Sequence, residues 1–262
     1  MKNTRRIVLV AFLVTVIAAQ SRAAVQTWEV RSETVYSTGD YGSGIETEVL
    51  YAPLEIRRIF EWGELGVAIP YLWYRSEGTF SFADASVGPG LQTIPISGSA
   101  DGIYDLLFDA IYRVVPQGGN RPEVLLRGYW KPPTGNEEKG LGTGDHDSLL
   151  GTEFWGWIPD SQRWFYFGDA YRYFSSGTPN RKGRDSWIYE FGLGGVITQD
   201  FVAKASYKEQ TKLAAGLPSA QSIHLETEFK LNPGFKILSG FSRGISDASP
   251  DWSVMMGFEC SF

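Results

Sequence analysis

Beyond the first two dozen residues, apolar and polar side chains alternate with period two, and no stretch of useful length keeps the 3.6-residue rhythm of a helix. Gly, Pro, Asn and Asp interrupt the alternation at intervals. The pattern predicts twelve strands, at 27–38, 45–60, 64–78, 102–115, 122–132, 147–158, 163–175, 186–198, 201–212, 222–232, 234–245 and 251–262. Nearly all reach the roughly nine to eleven residues that a tilted strand needs to cross a bilayer. Soluble sheets mostly use strands of about five or six residues. Dividing 45–78 or 222–245 differently would give ten or fourteen strands.

The connections sort by length. Counted from the first, the even ones are short: Glu61 to Gly63, Pro116 to Arg121, Pro159 to Ser161, Thr198 to Asp200 and Asn232 to Gly234. The odd ones are mostly longer and polar, including 79–101, 133–146, 176–185 and 213–221. Short turns on one side and long loops on the other are the build of an outer-membrane barrel. An even strand count returns both termini to the short-turn, periplasmic side. The expected fold is all-β, a single transmembrane antiparallel β-barrel with longer extracellular loops.

The last strand carries the strongest pattern. Its even positions read Trp252, Val254, Met256, Phe258, Cys260 and Phe262, and its odd positions Ser253, Met255, Gly257, Glu259 and Ser261. One face is apolar, the other mostly small or polar. Gly257, Cys260 and Phe262 resemble the assembly signal that ends bacterial outer-membrane proteins, although Met255 stands where that signal prefers a polar residue. Cys260 is expected as a small outward residue near the periplasmic rim.

If apolar faces meet lipid, the alternate residues face the lumen. Strand four then sends Tyr104, Leu106, Phe108 and Ala110 outward, and Asp105, Asp109 and Arg113 inward. The other inward candidates are Glu29, Arg31 and Glu33 on strand one, Arg127 and Lys131 on strand five, Glu153 on strand six and Glu190 on strand eight. Strand nine adds Lys204 and Lys208, and strand ten His224, Glu226, Glu228 and Lys230. A Lys or Arg on the lipid face near mid-bilayer costs about 2–4 kcal/mol, which favours this phase. Two strands resist it: the phase changes near Pro53 in strand two, and Asp169 and Arg172 fall on opposite faces of strand seven, where a bulge or a strand that leaves the membrane early would explain either. The lining is of mixed sign. These charges either pair across strands and plug a narrow barrel, or line a polar path for a solute. Trp28, Trp73, Trp130, Trp155, Trp164 and Trp187 are assigned to interfacial girdles or lumen packing.

Composition narrows the class further. With 38 aromatics but no long apolar run past the N-terminus, the chain is neither a helical membrane protein nor disordered. A single Cys excludes a disulfide scaffold and a Cys-cluster metal site. Lys2, Arg5 and Arg6, the apolar run Ile7 to Ala19 and the small residues of Ser21-Arg22-Ala23 make 1–23 a secretory signal cleaved after Ala23, leaving 24–262 as the barrel. Removing four cations and no acid takes the net charge from −6 to −10, so no basic surface is offered to nucleic acid. The expected place is the outer membrane of a Gram-negative cell. The expected partners there are outer-membrane lipids and lipopolysaccharide, the barrel-assembly machinery and a small-molecule solute.

Two stretches stand out between strands: Lys131-Pro132-Pro133-Thr134-Gly135-Asn136, and Leu141-Gly142-Thr143-Gly144-Asp145. With Asp101-Gly102-Ile103-Tyr104-Asp105 they resemble the outer-membrane family named for the meta-pathway of phenol degradation. Asn136 replaces the family's usual Asp, and Tyr104 is inserted into its small-polar strand opening. The resemblance covers roughly residues 100–262, and the first three strands only loosely. It implies a barrel that admits hydrophobic or aromatic compounds. The alternative is a structural or accessory barrel with a plugged lumen that binds a partner through its loops. No catalytic residue is assigned: His146 and His224 are the only histidines, and neighbours such as Asp145, Asp147 and Ser148 on a loop do not make a triad. Asp145 and Asp147 are assigned to a polar surface loop, ahead of a weak Ca²⁺ site. No cofactor or metal is expected. Deleting Phe262 should lower insertion into the outer membrane while leaving export intact; unchanged outer-membrane yield would refute the C-terminal signal.

Overall fold

The computed structural model describes residues 27–80, 96–118, 121–175, 186–211 and 219–262. The proposed signal at 1–23, the centre of the 79–101 connection, the 176–185 connection and most of the 213–221 connection lie outside them. Thirteen strands run through the described residues: β1 (Trp28–Gly39), β2 (Thr47–Phe60), β3 (Gly63–Phe80), β4 (Ile96–Ile103), β5 (Leu107–Val115), β6 (Glu123–Lys131), β7 (Asp147–Trp157), β8 (Trp164–Ser175), β9 (Ser186–Thr198), β10 (Phe201–Gln210), β11 (Ala220–Asn232), β12 (Phe235–Gly244) and β13 (Trp252–Ser261). Twelve of them close into an antiparallel barrel, with β1 paired to both β2 and β13, and β3 to both β2 and β5. Closure of these twelve removes the open edges that lipid could not satisfy, and leaves β4 with one strand partner.

The closing seam joins the two ends of the chain. β1 and β13 run in unbroken register from Glu29↔Ser261 to Thr38↔Trp252. Below them the Phe262 carbonyl accepts from Thr27 N at 3.1 Å and Trp28 N at 3.0 Å, and Phe262 N donates to Trp28 O at 2.9 Å. Phe262 thus sits at the short-turn rim, its ring exposed near Trp28. Cys260 keeps the outward parity of Val254, Met256 and Phe258, but is buried between its register partners Val30 and Phe235.

The predicted fourth strand is two strands. β4 pairs with the upper half of β3, from Tyr71↔Ile103 upward, and β5 with its lower half, from Ala68↔Leu107 downward. Between them Tyr104, Asp105 and Leu106 are not strand, although Tyr104 N still donates to Pro70 O of β3 at 2.9 Å, and β4 takes no strand partner on its other side among the described residues. Residues 96–101, expected as loop, are therefore strand. Parity assigns Tyr104 to the lipid face, but the break turns it inward and it is buried.

Strand two keeps one phase throughout. Thr47, Val49, Tyr51, Glu55 and Arg57 are inward-side positions in an unbroken register with β3, so no bulge occurs at Pro53. The apparent phase change reflects the lumen, which is apolar above and charged below. In β8 Asp169 faces inward, and Arg172 faces outward between the rings of Phe174 and Trp187, 5.3 and 5.6 Å from their centroids. Cation–π contact near a membrane rim offsets the cost of an outward arginine. Elsewhere the outer face is mostly apolar, with Met256 69% and Phe191 60% exposed, while outward Glu48 and Arg75 pair at 3.9 Å toward the upper rim.

Inside the upper barrel, Val35, Tyr41, Val49, Tyr51, Leu72, Tyr74, Tyr104 and Leu141 form a buried apolar cluster, against which the inward Met255 packs. Leu141 comes from the long β6–β7 connection, which folds inward instead of standing over the rim. Leu149, Tyr171, Tyr173 and Ile188 make a second cluster on the β7–β9 side.

Candidate functional site

The break after β4 is held by one carboxylate. Asp105 Oδ1 accepts from Thr134 N at 2.8 Å and Gly135 N at 2.7 Å, and Oδ2 from Thr143 N and Lys131 Nζ, each at 2.9 Å. Lys131 also meets Asp147 at 2.6 Å. Asp105, Lys131 and Asp147 are each at most 1% exposed. A backbone that has left the ladder inside a membrane must find partners, and the side chain supplies them to the incoming connection. Gly135 is required there, because a Cβ would lie 1.7 Å from Leu141 O. Gly140, at φ 65°, ends the single 3-10 turn Glu137–Lys139, which Asn136 caps by accepting from Lys139 N at 3.0 Å. Tyr74 Oη donates to Lys139 O at 2.9 Å and ties the same connection to β3.

Parity places Asp105 and Lys131 along a solute path. The structure encloses them in this latch instead, because the inward-folding β6–β7 connection covers Asp105 where β4 breaks from β5. Asp147, expected on a surface loop, is buried as the third charge of the same latch.

Lower down, alternation brings a belt of charge inward. Arg57 lies 2.7 Å from Glu55, 3.3 Å from Glu64 and 3.8 Å from Asp109. Arg127 bridges Asp109 at 3.3 Å and Glu153 at 2.9 Å, and its guanidinium stacks 4.6 Å above the Tyr129 ring. Tyr171 Oη donates to Glu153. Opposite, Lys208 lies 3.6 Å from Glu190, which also accepts from Ser206 at 2.7 Å, and Lys204 pairs with Glu228. Arg31 pairs with Glu33.

These groups surround a cavity of about 300 Å³. Of the residues singled out from sequence, Arg31, Glu33, Asp109, Arg127, Glu153, Glu190, Lys208 and Glu226 border it. Lys204 and Glu228 form their pair on adjacent strands, while Arg113 sits lower, bonded to Glu123 at 2.8 Å and Glu61 O at 3.1 Å. His224 is buried with Nε2 2.7 Å from Ser222 Oγ. Sequence reasoning missed Glu55 and Arg57, hidden by the apparent phase change in β2. It left Asp169 undecided and did not single out Tyr129 and Tyr171. Period-two parity, carried through Pro53 and fixed in β8 by Glu153↔Asp169, would have found them.

The family model described as "Putative MetA-pathway of phenol degradation" matches residues 54–262. No curated protein matches the chain. Among solved structures, an outer membrane channel from Pseudomonas putida F1 superposes with a TM-score of 0.71 at 12% identity, over 92% of this chain and 97% of that one. The KdgM porin in complex with disordered oligogalacturonate gives 0.52 at 8% identity, over 90% and 99%. The β domain of the Bordetella autotransporter Brka gives 0.52 at 13%, over 91% and 100%. At these identities they establish the shared barrel fold.

Removing the Asp105 carboxylate strands three backbone N–H groups and leaves Lys131 with one ionic partner. Asp105→Ala should therefore destabilise the barrel by about 3–5 kcal/mol. Urea unfolding of the refolded protein would measure this, and a loss under about 1 kcal/mol would show that the connection is held by other contacts.

Proposed function

The chain belongs to the family described by the meta-pathway of phenol degradation, and from that membership and the lumen's geometry we propose that it is an outer-membrane channel for passive uptake of small hydrophobic or aromatic solutes. The observation that carries this reading is the vertical order inside the barrel. An apolar, tyrosine-rich upper lumen lies above a charged belt around a cavity of about 300 Å³. Such a cavity is at the small end of ligand sites and matches a single-ring compound. The Pseudomonas putida F1 protein that shares this fold is an outer membrane channel, which supports the same role. In this reading 1–23 directs export and is removed, the short turns face the periplasm of a Gram-negative cell, and the long connections face outward.

The belt's ion pairs order the lining without closing it, since opposite charges across a strand pair contribute only about 0.2–1 kcal/mol. They also favour the rival reading of a plugged accessory barrel, so the test must separate the two. Refolded protein in a planar bilayer should give steady single-channel conductance that a millimolar single-ring alcohol interrupts. Intact folding with no conductance would establish the accessory barrel. Lys204→Ala with Lys208→Ala frees Glu228 and Glu190 and should shift the reversal potential in a KCl gradient toward greater cation preference. An unchanged reversal potential would remove these lysines from the conducting path.

A further inference from the structure

Five adjacent strands bring one row of small polar side chains to the same height. Ser206 on β10, His224 on β11, Ser242 on β12, Ser253 on β13 and Ser37 on β1 are successive register partners, and all are buried. The ends of the row are satisfied: Ser206 Oγ donates to Glu190 at 2.7 Å, and Ser37 Oγ lies 2.8 Å from Tyr41 Oη. In the middle, the Ser242 and Ser253 hydroxyls are buried with no hydrogen-bond partner among the described residues. Buried hydroxyls without partners are costly, and natural structures place a water or a ligand against them.

One step lower, on the same face, the register runs Glu226↔Gly240↔Met255. Gly240 has no side chain to fill its place, and a niche of about 60 Å³ opens there, lined by Ser242, Ser253, His224, Glu226 and Glu33. The register partner of Glu226 is Lys204, but that lysine pairs with Glu228. Glu226 is left without an ion pair among the described residues. Glu33 and Glu226 border both this niche and the larger cavity, so the one opens beside the other. The larger cavity carries seven carboxylates against four cationic side chains, so its field favours positive charge.

We propose that the niche is a binding site for the primary ammonium group of a small organic cation, whose aromatic body occupies the larger cavity beside it, against the rings of Tyr51 and Tyr171. An ammonium offers three N–H donors and no acceptor. The site offers the complement: the Glu226 carboxylate as counter-ion, and the Ser242 and Ser253 oxygens as acceptors. The volume suits a few waters or an –NH₃⁺ with its first carbon. Tyr51 and Tyr171 border the larger cavity and give the body aromatic faces, which also attract a cation. A carboxylate of similar size would meet Glu226 and Glu33 and be repelled.

This assignment rests on reading the lumen as a solute path, and its test does not depend on conductance. Benzylammonium, benzyl alcohol and benzoate are titrated by calorimetry into the refolded, detergent-held barrel. Benzylammonium should bind at least tenfold more tightly than the other two. Glu226→Gln should weaken it at least tenfold, and Ser242→Ala with Ser253→Ala at least threefold, while Asp251→Asn, an exposed loop change, has no effect. The serine double variant removes unsatisfied hydroxyls and should fold at least as well as the parent, so it decides the matter if Glu226→Gln does not fold. Equal binding of benzoate, absent binding of benzylammonium, or parent affinity in the folded variants would each overturn the proposal and leave the niche to ordered water. A barrel that binds benzylammonium but does not conduct would sink the channel reading alone.

Discussion

A strand that stops inside a membrane leaves backbone groups that lipid cannot satisfy, and among the described residues this barrel contains such a stop after β4. Everything above the charged belt depends on how the gap is filled. The break's own N–H groups are met by Pro70 O, which accepts from Tyr104 N, and by Thr134 Oγ1, which accepts from Leu106 N; the Asp105 carboxylate fixes the connection that fills the gap, accepting from Thr134 N, Gly135 N and Thr143 N at once. A neutral side chain could not do this as well, because hydrogen bonds to a charged acceptor are roughly twice as strong as neutral ones. The negative charge then needs compensation in a site sealed from water, and Lys131 supplies it. Lys131 in turn is shared with Asp147, so the starts of β5 and β7 are tied through the end of β6. The consequence reaches the lumen. Fixed in this way, the β6–β7 connection delivers Leu141 to the apolar cluster, and that cluster sets the chemistry of the upper barrel.

The belt below obeys a different constraint. Register places Glu153, Asp169 and Glu190 directly opposite one another across β7, β8 and β9. Like charges so placed destabilise a sheet, with Cβ atoms about 4.5–5.5 Å apart. The flanks are neutralised, Glu153 by Arg127 and Tyr171, Glu190 by Lys208 and Ser206. Asp169 between them has no such partner, and its Oδ1 is buried without a hydrogen bond among the described residues. The cations of the belt are therefore committed in pairs and bridges, and the surplus is acidic. A mixed-sign lining is compatible with a definite preference when the pairing leaves one sign over.

The barrel itself was legible because closure imposes a simple code. Period-two alternation, short turns on one side and the apolar face of 252–262 are each direct consequences of lipid outside and a lumen inside. What parity could not show is where a strand stops pairing without ceasing to look like a strand. Residues 102–115 alternate well enough for one strand, and only the conformation at Tyr104, Asp105 and Leu106 separates β4 from β5. For the same reason Asp105 and Lys131 looked like lining residues. Their parity is right, but the wall is not continuous at their height. Strand two misled in the opposite sense. Its single phase was hidden because Val49 and Tyr51 face an apolar upper lumen, whereas Glu55 and Arg57 face the belt. Reading inward as polar is sound only for a water-filled barrel, and this one is part-filled by its own connection.

Gly240 shows how a position with no side chain can shape a lumen. Its neighbours in register are Glu226 and Met255, both inward and both long. Any side chain at Gly240 would stand between them, and even a Cβ would come to 3.2 Å from the Met255 Cε. The gap is therefore a consequence of packing two long residues beside a strand that must pass between them. What decides its character is the row above, where serines in place of apolar residues leave oxygen atoms facing the gap. Apolar side chains at 242 and 253 would have made the same space dry, since empty cavities in proteins are apolar ones. With Ser242, Ser253 and Glu226 around it, the space is polar and acidic, and it adjoins the wider cavity at the level where the tyrosines stand. At that level an apolar surface and a charged one meet within a single row of the wall.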